Sequence, residues 1–259
     1  MGGKTIVLKS AEELEIMRQA NQLVAATLTM LSNRLRPGVS TAQLDAWAEE
    51  FTRDQGGVPA FKGYRGFPGS LCVSLNEQVV HGIPSKKVVV REGDIVSIDF
   101  GVKWQGFFGD AAVTLPVGSV APRIAELLKV TRESLKRGIG QVQVGKRIND
   151  ISKAVQEHVE SHGFSVVRQF VGHGIGSSLH EAPEIPNYIR EGGSPRLMSG
   201  MVLAIEPMVN LGTHEVKVLR DGWTVVTRDR SPSAHFEHSV AVTENGPLVL
   251  SGAADLIVI

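Results

Sequence analysis

Four acidic residues stand at the ends of short runs with strand character: Asp99 closes GDIVSID, Asp110 opens DAAVT, Glu206 closes GMVLAIE and Glu237 opens EHSVAVT. Three histidines lie in turn-like contexts, His81 in VVHGIP, His173 in VGHGIG and His180 in SLHEAP. Taken singly, each has an ordinary explanation. An Asp at a strand end is most often a cap or an ion-pair partner. A His between glycines marks a turn more often than a ligand, and His81 and His180, taken singly, read more readily as satisfied loop histidines. Taken together they point to chemistry. Carboxylates packed side by side repel and resist desolvation, so a converging set persists only where protons or cations neutralise it. Two divalent ions balance four negative charges, and with His173 as a nitrogen ligand the oxygen-rich set suits Mn, Fe(II) or Co, with Zn also possible. Two such ions roughly 3.5 Å apart generate hydroxide at neutral pH and polarise a carbonyl, the requirement of metal-assisted hydrolysis.

Convergence is predicted by an internal duplication. A shift of 107 residues lays Gly38 on Gly145, Leu44 on Ile151, Gly56 on Gly163, and the run ending at Asp99 on the run ending at Glu206. Asp110 falls on Glu237 at a shift of 127, so 20 extra residues form a hairpin insertion around 211 to 230 that carries Trp223. Each half opens with two amphipathic helices. Ser10 and Glu13 make a capping box ahead of Met17, Ala20, Val24, Leu28 and Leu31, and this helix stops before Pro37-Gly38. Ser40 and Gln43 precede Leu44, Trp47, Ala48 and Phe51, a helix over about 41 to 54. In the second half one helix carries Ile124, Leu127, Leu128 and Leu135, and another Ile148, Ile151, Val155 and Val159. Strands are predicted at 71–75, 88–90, 94–100, 102–108 and 111–115. The whole chain, 1–259, reads as a single α+β domain with related halves at about 10–116 and 120–250.

Composition removes other classes. A chain of 259 residues with 42% hydrophobic content buries a large core without covalent staples. Lys+Arg and Asp+Glu both total 27, so no basic excess suggests nucleic acid. The single Cys72 rules out an intramolecular disulfide and a multi-thiolate zinc site. The N-terminus lacks the apolar stretch of a signal peptide, and no run approaches a membrane span. A cytoplasmic protein with no membrane association is expected, a monomer by default.

The runs NEQVVHGIP (76–84), DIVSIDFGVKWQGFFGDAAVT (94–114), GHGIGSSLHEAPEIP (172–186), GMVLAIEPM (200–208) and FEHSVAVT (236–243) resemble the motif blocks of type I methionine aminopeptidases. The resemblance covers the chain from the first helix onward. It implies the pita-bread fold: two related halves with pseudo-twofold symmetry around a central curved antiparallel sheet, helices outside. It also implies two divalent ions, with Asp99 and Asp110 holding one, His173 and Glu206 the other, and Asp110 and Glu237 bridging both. Glu206 is implied as proton shuttle, and His81 and His180 as histidines that contact the substrate peptide. Tyr64, Phe67, Cys72 and Trp223 match positions of the methionine pocket, with Phe61 and Leu179 beside them, where this chain departs from the commonest family residues. For any one aromatic residue, core packing is the commoner role. Asn76 and Ser233 resemble positions near a monovalent cation.

The implied substrate is the initiator methionine of nascent polypeptides, with a small second residue, met close to the ribosome. Met1-Gly2 is itself such a start. Two alternatives share the fold: a peptidase that cleaves before proline, which usually carries a large extra N-terminal domain, and a non-catalytic module that binds peptides, which has no reason to keep four repelling acids together.

Overall fold

The Ser10 hydroxyl accepts the Glu13 N–H while the Glu13 carboxylate accepts the Ser10 N–H, and this capping box opens α1 (Ala11–Arg34). The Ser40 hydroxyl likewise caps α2 (Thr41–Asp54) through the Gln43 N–H. The second half repeats the pair with α3 (Pro122–Ile139), started by a proline whose missing N–H costs nothing there, and α4 (Ile148–Ser161). This computed structural model describes residues 5–252, so Met1-Gly2 lies outside the described residues.

The strands follow in chain order as β1 (Val58–Pro59), β2 (Cys72–Leu75), β3 (Gln78–Val80), β4 (Ile95–Trp104) and β5 (Phe107–Pro116) in the first half. The second half contributes β6 (Ser165–Val166), β7 (Gly172–Gly174), β8 (Glu181–Ile185), β9 (Val202–Ile205) and β10 (Met208–Asn210). It continues with β11 (Val216–Val218), β12 (Val225–Thr227), β13 (Ser233–His235), β14 (Glu237–Thr243) and β15 (Gly246–Val249). The main sheet is antiparallel and curled, in the order β1-β4-β5-β14-β9-β7-β8, with β2 also on β4 and β15 also on β14. Its order is nearly a mirror about the β5–β14 junction: β4 and β5 on one side answer to β9 and β14 on the other.

Where the sequence predicts two strands at 94–100 and 102–108, the structure has one ten-residue strand on each side of a two-residue turn at Gln105-Gly106. Both turn residues have positive φ, 46° and 89°, the backbone that matches the twist of a hairpin. Gly101 reads as a break in the sequence but sits inside β4. A Cβ there would come within 2.8 Å of the Phe61 ring, so the glycine admits Phe61 rather than ending the strand. The run at 88–90 makes only an isolated bridge, Val89 to Ser40, because its backbone pairs with the turn before α2.

Side chains of one strand alternate between faces. Ile98, Phe100, Val102, Ala111, Val113 and Val240 point outward into a core shared with Val24, Leu28, Leu127, Leu135, Ile151 and Val155 of α1, α3 and α4. The inner face of the same strands is polar. The insertion predicted around 211 to 230 is the β11–β12 hairpin, whose strand β12 pairs with β3. It thereby brings Trp223 to the inner face near His81.

Candidate active site

Cys72, Asp99, Ala112 and Glu237 are successive cross-strand partners on β2, β4, β5 and β14. Asp110 is two residues before Ala112 on β5, opposite Gly101. The two acids of the first half and Glu237 therefore share one face by register alone. Glu206 immediately follows β9, and His173 on β7 pairs with Ala204 of β9, so the second half adds a carboxylate and an imidazole to the same floor. Asp110 is fixed from behind: its N–H is shared by Asn21 Oδ1 of α1 and Ser239 Oγ, each at 3.3 Å. The Ser239 hydroxyl donates in turn to the Asp110 carbonyl at 2.8 Å.

The resulting cluster is buried and short of partners. Asp110, His173 and Glu237 each present a ligand atom within 4.8 Å of the others, the metal-binding group found among the described residues. His173 Nε2 stands 3.6 Å from Glu206 Oε1 and 4.0 Å from Asp110 Oδ2. Its Nδ1 is 3.0 Å from the Gly174 carbonyl, which fixes the proton on Nδ1 and leaves Nε2 bare as a ligand. Asp99 Oδ1, Asp110 Oδ1 and Glu237 Oε1 are buried with no hydrogen-bond partner. Orphaned carboxylate oxygens facing a bare imidazole nitrogen are what a divalent cation satisfies, and the donor set fits one.

Electrostatics say the same. Burial pushes Asp99 and Glu206 up to about 7. It pushes Asp110 and Glu237 well above the usual carboxylate range, and the neighbouring acids add to the shift. A site that resists ionisation this strongly needs positive charge to hold four carboxylates at neutral pH.

Above the floor lies a cleft of about 130 Å³ whose walls include Phe61, Tyr64, Phe67, Cys72, His81, Leu179, His180 and Trp223. Phe67 meets Trp223 edge-on at 5.1 Å, and Trp223 meets His81 at 6.2 Å. The Tyr64 hydroxyl is 2.9 Å from His180 Nδ1, and the His180 ring lies 4.1 Å from that of His173. Burial, with His235 adding to it, lowers His81 to about 4, so its ring is neutral at pH 7. The aromatic and histidine positions read from the sequence thus meet around one cavity. Asn76 and Ser233 are brought together elsewhere: the Ser233 N–H donates to the Asn76 carbonyl at 2.9 Å, and the Asn76 side chain is engaged by Asp94 and Ile95. The sequence reading missed His235. Its Nε2 is 3.6 Å from Glu206 Oε2 and, like the acids, is buried without a partner. The signal was present, since a residue two before Glu237 in an extended run faces the same way.

Buried carboxylates and an imidazole at the floor of an aromatic cleft, on a curled antiparallel sheet backed by helices, define a pita-bread metallopeptidase. Residues 15–244 match metallopeptidase family M24, and the chain belongs to that family. It is 52% identical over 246 residues to a methionine aminopeptidase of Clostridium acetobutylicum, covering 95% of this chain and 98% of that one. Its structure matches that of methionine aminopeptidase from Thermotoga maritima with a TM-score of 0.94 at 46% identity, over 96% of this chain and 100% of that one. The prolidase of Pyrococcus furiosus shares the fold alone, with a TM-score of 0.77 at 23% identity, and this chain covers 66% of it.

Proposed function

We infer that this chain is a methionine aminopeptidase of the type I form, a hydrolase that removes the N-terminal methionine of polypeptides. The observation that carries this is the buried Asp110, His173 and Glu237 group at the floor of a cleft walled by Phe67, Cys72 and Trp223. Asp99 and Asp110 would hold one divalent ion, His173 and Glu206 a second, and Asp110 and Glu237 would contact both; Mn, Fe(II), Co and Zn all suit this donor set. Bound there, such ions polarise the scissile carbonyl and make water a competent nucleophile at neutral pH.

The remaining steps belong to side chains. Glu206 accepts the proton of the attacking water and passes it to the leaving amine. His180, steadied by Tyr64, stabilises the oxyanion beside the cluster. His81, neutral, hydrogen-bonds the substrate backbone. The methionine thioether packs against Phe67, Trp223 and Cys72, since sulfur contacts to aromatic rings are favourable. Phe61 and Leu179 shape the same pocket and set its dimensions in this chain.

The chain acts as one catalytic domain whose halves, about 10–116 and 120–250, each supply two acids. The substrate is the nascent chain with a small second residue, met in the cytoplasm near the ribosome, and the enzyme works as a monomer. No helix of the described residues is long and apolar enough to cross a membrane. A monovalent cation near Asn76 and Ser233 would draw on main-chain carbonyls. The test is release of methionine from Met-Ala-Ser by metal-stripped protein resupplied with Mn, Co, Fe(II) or Zn, beside Asp99→Ala and His173→Ala. Metal-dependent release that both variants abolish is expected; turnover of Xaa-Pro peptides in its place would assign the site to a proline-directed peptidase.

A further inference from the structure

The ligand set proposed above leaves one buried polar side chain of the site without a task. His235 ends β13, where it pairs with Met208 of β10. The Thr114 hydroxyl of β5 accepts the His235 N–H at 2.8 Å and donates to the His235 carbonyl at 2.8 Å. Its backbone is therefore held from two sides. The ring is 1% exposed, too deep to reach solvent, and Nε2 has no hydrogen-bond partner. Buried polar atoms left in that condition are rare and ask for a reason.

The reason lies 3.6 Å away, at Glu206 Oε2. The other oxygen of the same carboxylate, Oε1, is 3.6 Å from His173 Nε2. Glu206 is thus bracketed by two imidazoles, one at each oxygen, and they are not equivalent. His173 spends its proton on the Gly174 carbonyl, so a bare nitrogen faces Oε1, an arrangement that only a cation between them satisfies. Among the described residues no such backbone acceptor holds a proton on His235 Nδ1, and the ionised carboxylate oxygen facing Nε2 can only accept, which favours the proton on Nε2.

We propose that His235 is a positioning residue: its Nε2–H donates to Glu206 Oε2 and turns the carboxylate so that Oε1 is presented, together with His173 Nε2, to the cation. This rests on the reading in which Glu206 and His173 hold one ion. The present separation is just beyond a hydrogen bond, and a shift of about half an ångström closes it. Contacts of this kind tighten as a site fills. Held this way, Oε2 is also kept from swinging to a second position in the cluster.

The test is Mn²⁺ binding to the metal-stripped protein by titration calorimetry, for the native chain, His235→Leu, His235→Gln and, as reference, Glu206→Gln. Leucine keeps the bulk of the ring without a donor, whereas glutamine puts an N–H₂ near the place of Nε2. Partners that orient a metal ligand are worth roughly tenfold to a hundredfold in affinity, so His235→Leu is expected to weaken Mn²⁺ by roughly tenfold or more, and His235→Gln to stay within roughly threefold of native. Glu206→Gln should lose at least as much as His235→Leu. If Glu206→Gln binds as the native chain does, the ligand role of Glu206 falls and this proposal with it. If Glu206→Gln is weak but His235→Leu is native-like, the positioning role alone is wrong. If glutamine fails as badly as leucine, the ring is itself a ligand, and the proposal is equally overturned. In the unaltered protein loaded with diamagnetic Zn²⁺, imidazole ¹⁵N spectra should place the His235 proton on Nε2; a bare Nε2 overturns the assignment whether or not the variants fold.

Discussion

Stripping the metal should give this protein a pH dependence opposite in sign to that of most carboxylate-rich domains. Asp99 and Glu206 are raised by burial to about 7, whereas in the unfolded chain they titrate near the ordinary values of about 4. These are acids with raised folded pKa values, so between about pH 5 and 7 the folded state holds protons that the unfolded state has released. Stability must then fall as pH rises through that window. Two protons of difference correspond to a slope of about 2.7 kcal/mol per pH unit, a ceiling that mutual coupling of the acids lowers. Burial also raises Asp110 and Glu237 well above the ordinary carboxylate range, so they add to the loss in the same direction. Even half the ceiling is a large part of the roughly 5–15 kcal/mol that holds a domain folded. The assay is urea unfolding at pH 5, 6 and 7, once with excess chelator and once with saturating Mn²⁺. The chelated protein should lose its midpoint steadily toward pH 7, while the Mn²⁺-loaded protein should not, because the ion replaces the protons. A chelated protein equally stable at the three pH values, or more stable at pH 7, would refute the claim that burial keeps these carboxyls protonated.

Three further outcomes follow from packing. Lys9 and Glu181 form an ion pair with both side chains nearly inaccessible, so Lys9→Met should cost about 3–5 kcal/mol by leaving the buried carboxylate without a counter-charge, held only by the Ser178 N–H and the Ser177 hydroxyl among the described residues. It should also lower kcat, since Glu181 adjoins His180; a change under 1 kcal/mol in chemical denaturation would contradict it. Gly109 and Gly106 make a contrast in one hairpin. A Cβ on Gly109 would meet the α1 backbone at Asn21 N at 2.8 Å, so Gly109→Ala should displace the strand at Asp110 and weaken metal binding. Gly106→Ala, in open space at φ 89°, should cost about 1 kcal/mol of backbone strain and leave Mn²⁺ affinity unchanged. The Asp221 carboxylate accepts the N–H groups of Trp223 and Thr224, each at 2.9 Å, and the Thr224 hydroxyl at 2.7 Å. Asp221→Ala should let Trp223 drift and raise KM for Met-Ala-Ser by roughly threefold or more with kcat little changed; a kcat loss at constant KM would count against a pocket role.

Much of the scaffold was legible because it is written in local chemistry. The capping box at Ser10 and the cap at Ser40 set the starts of α1 and α2, and the 3.6-residue spacing of their apolar positions set the buried faces. The aligned acids were legible because duplication repeats a strand-end carboxylate. What escaped depends on contacts between distant residues. Nothing near Gly101 says that Phe61 needs the room a side chain would fill. The small β6–β10–β13 sheet is built from strands of two or three residues, too short for alternation to register. The place of His235 two before Glu237 hints at its direction but not at its partner, because Glu206, just after β9, becomes a neighbour only when β14 pairs with β9.

That pairing explains why the chemistry sits where it does. At the centre of the main sheet β5 and β14 share only two residue pairs, Glu237 with Ala112 and His238 with Ala111, before β14 turns to β15. A ladder this short leaves backbone groups that side chains must satisfy, and Asn21 and Ser239 do so at Asp110. The junction is therefore the one stretch of the main sheet where the halves meet through side chains as much as through the ladder. Acids placed there come from both halves and face one another, which destabilises the fold unless cations intervene. The same repulsion makes the site selective, because only a ligand carrying enough positive charge lets all four carboxylates stand ionised against one another.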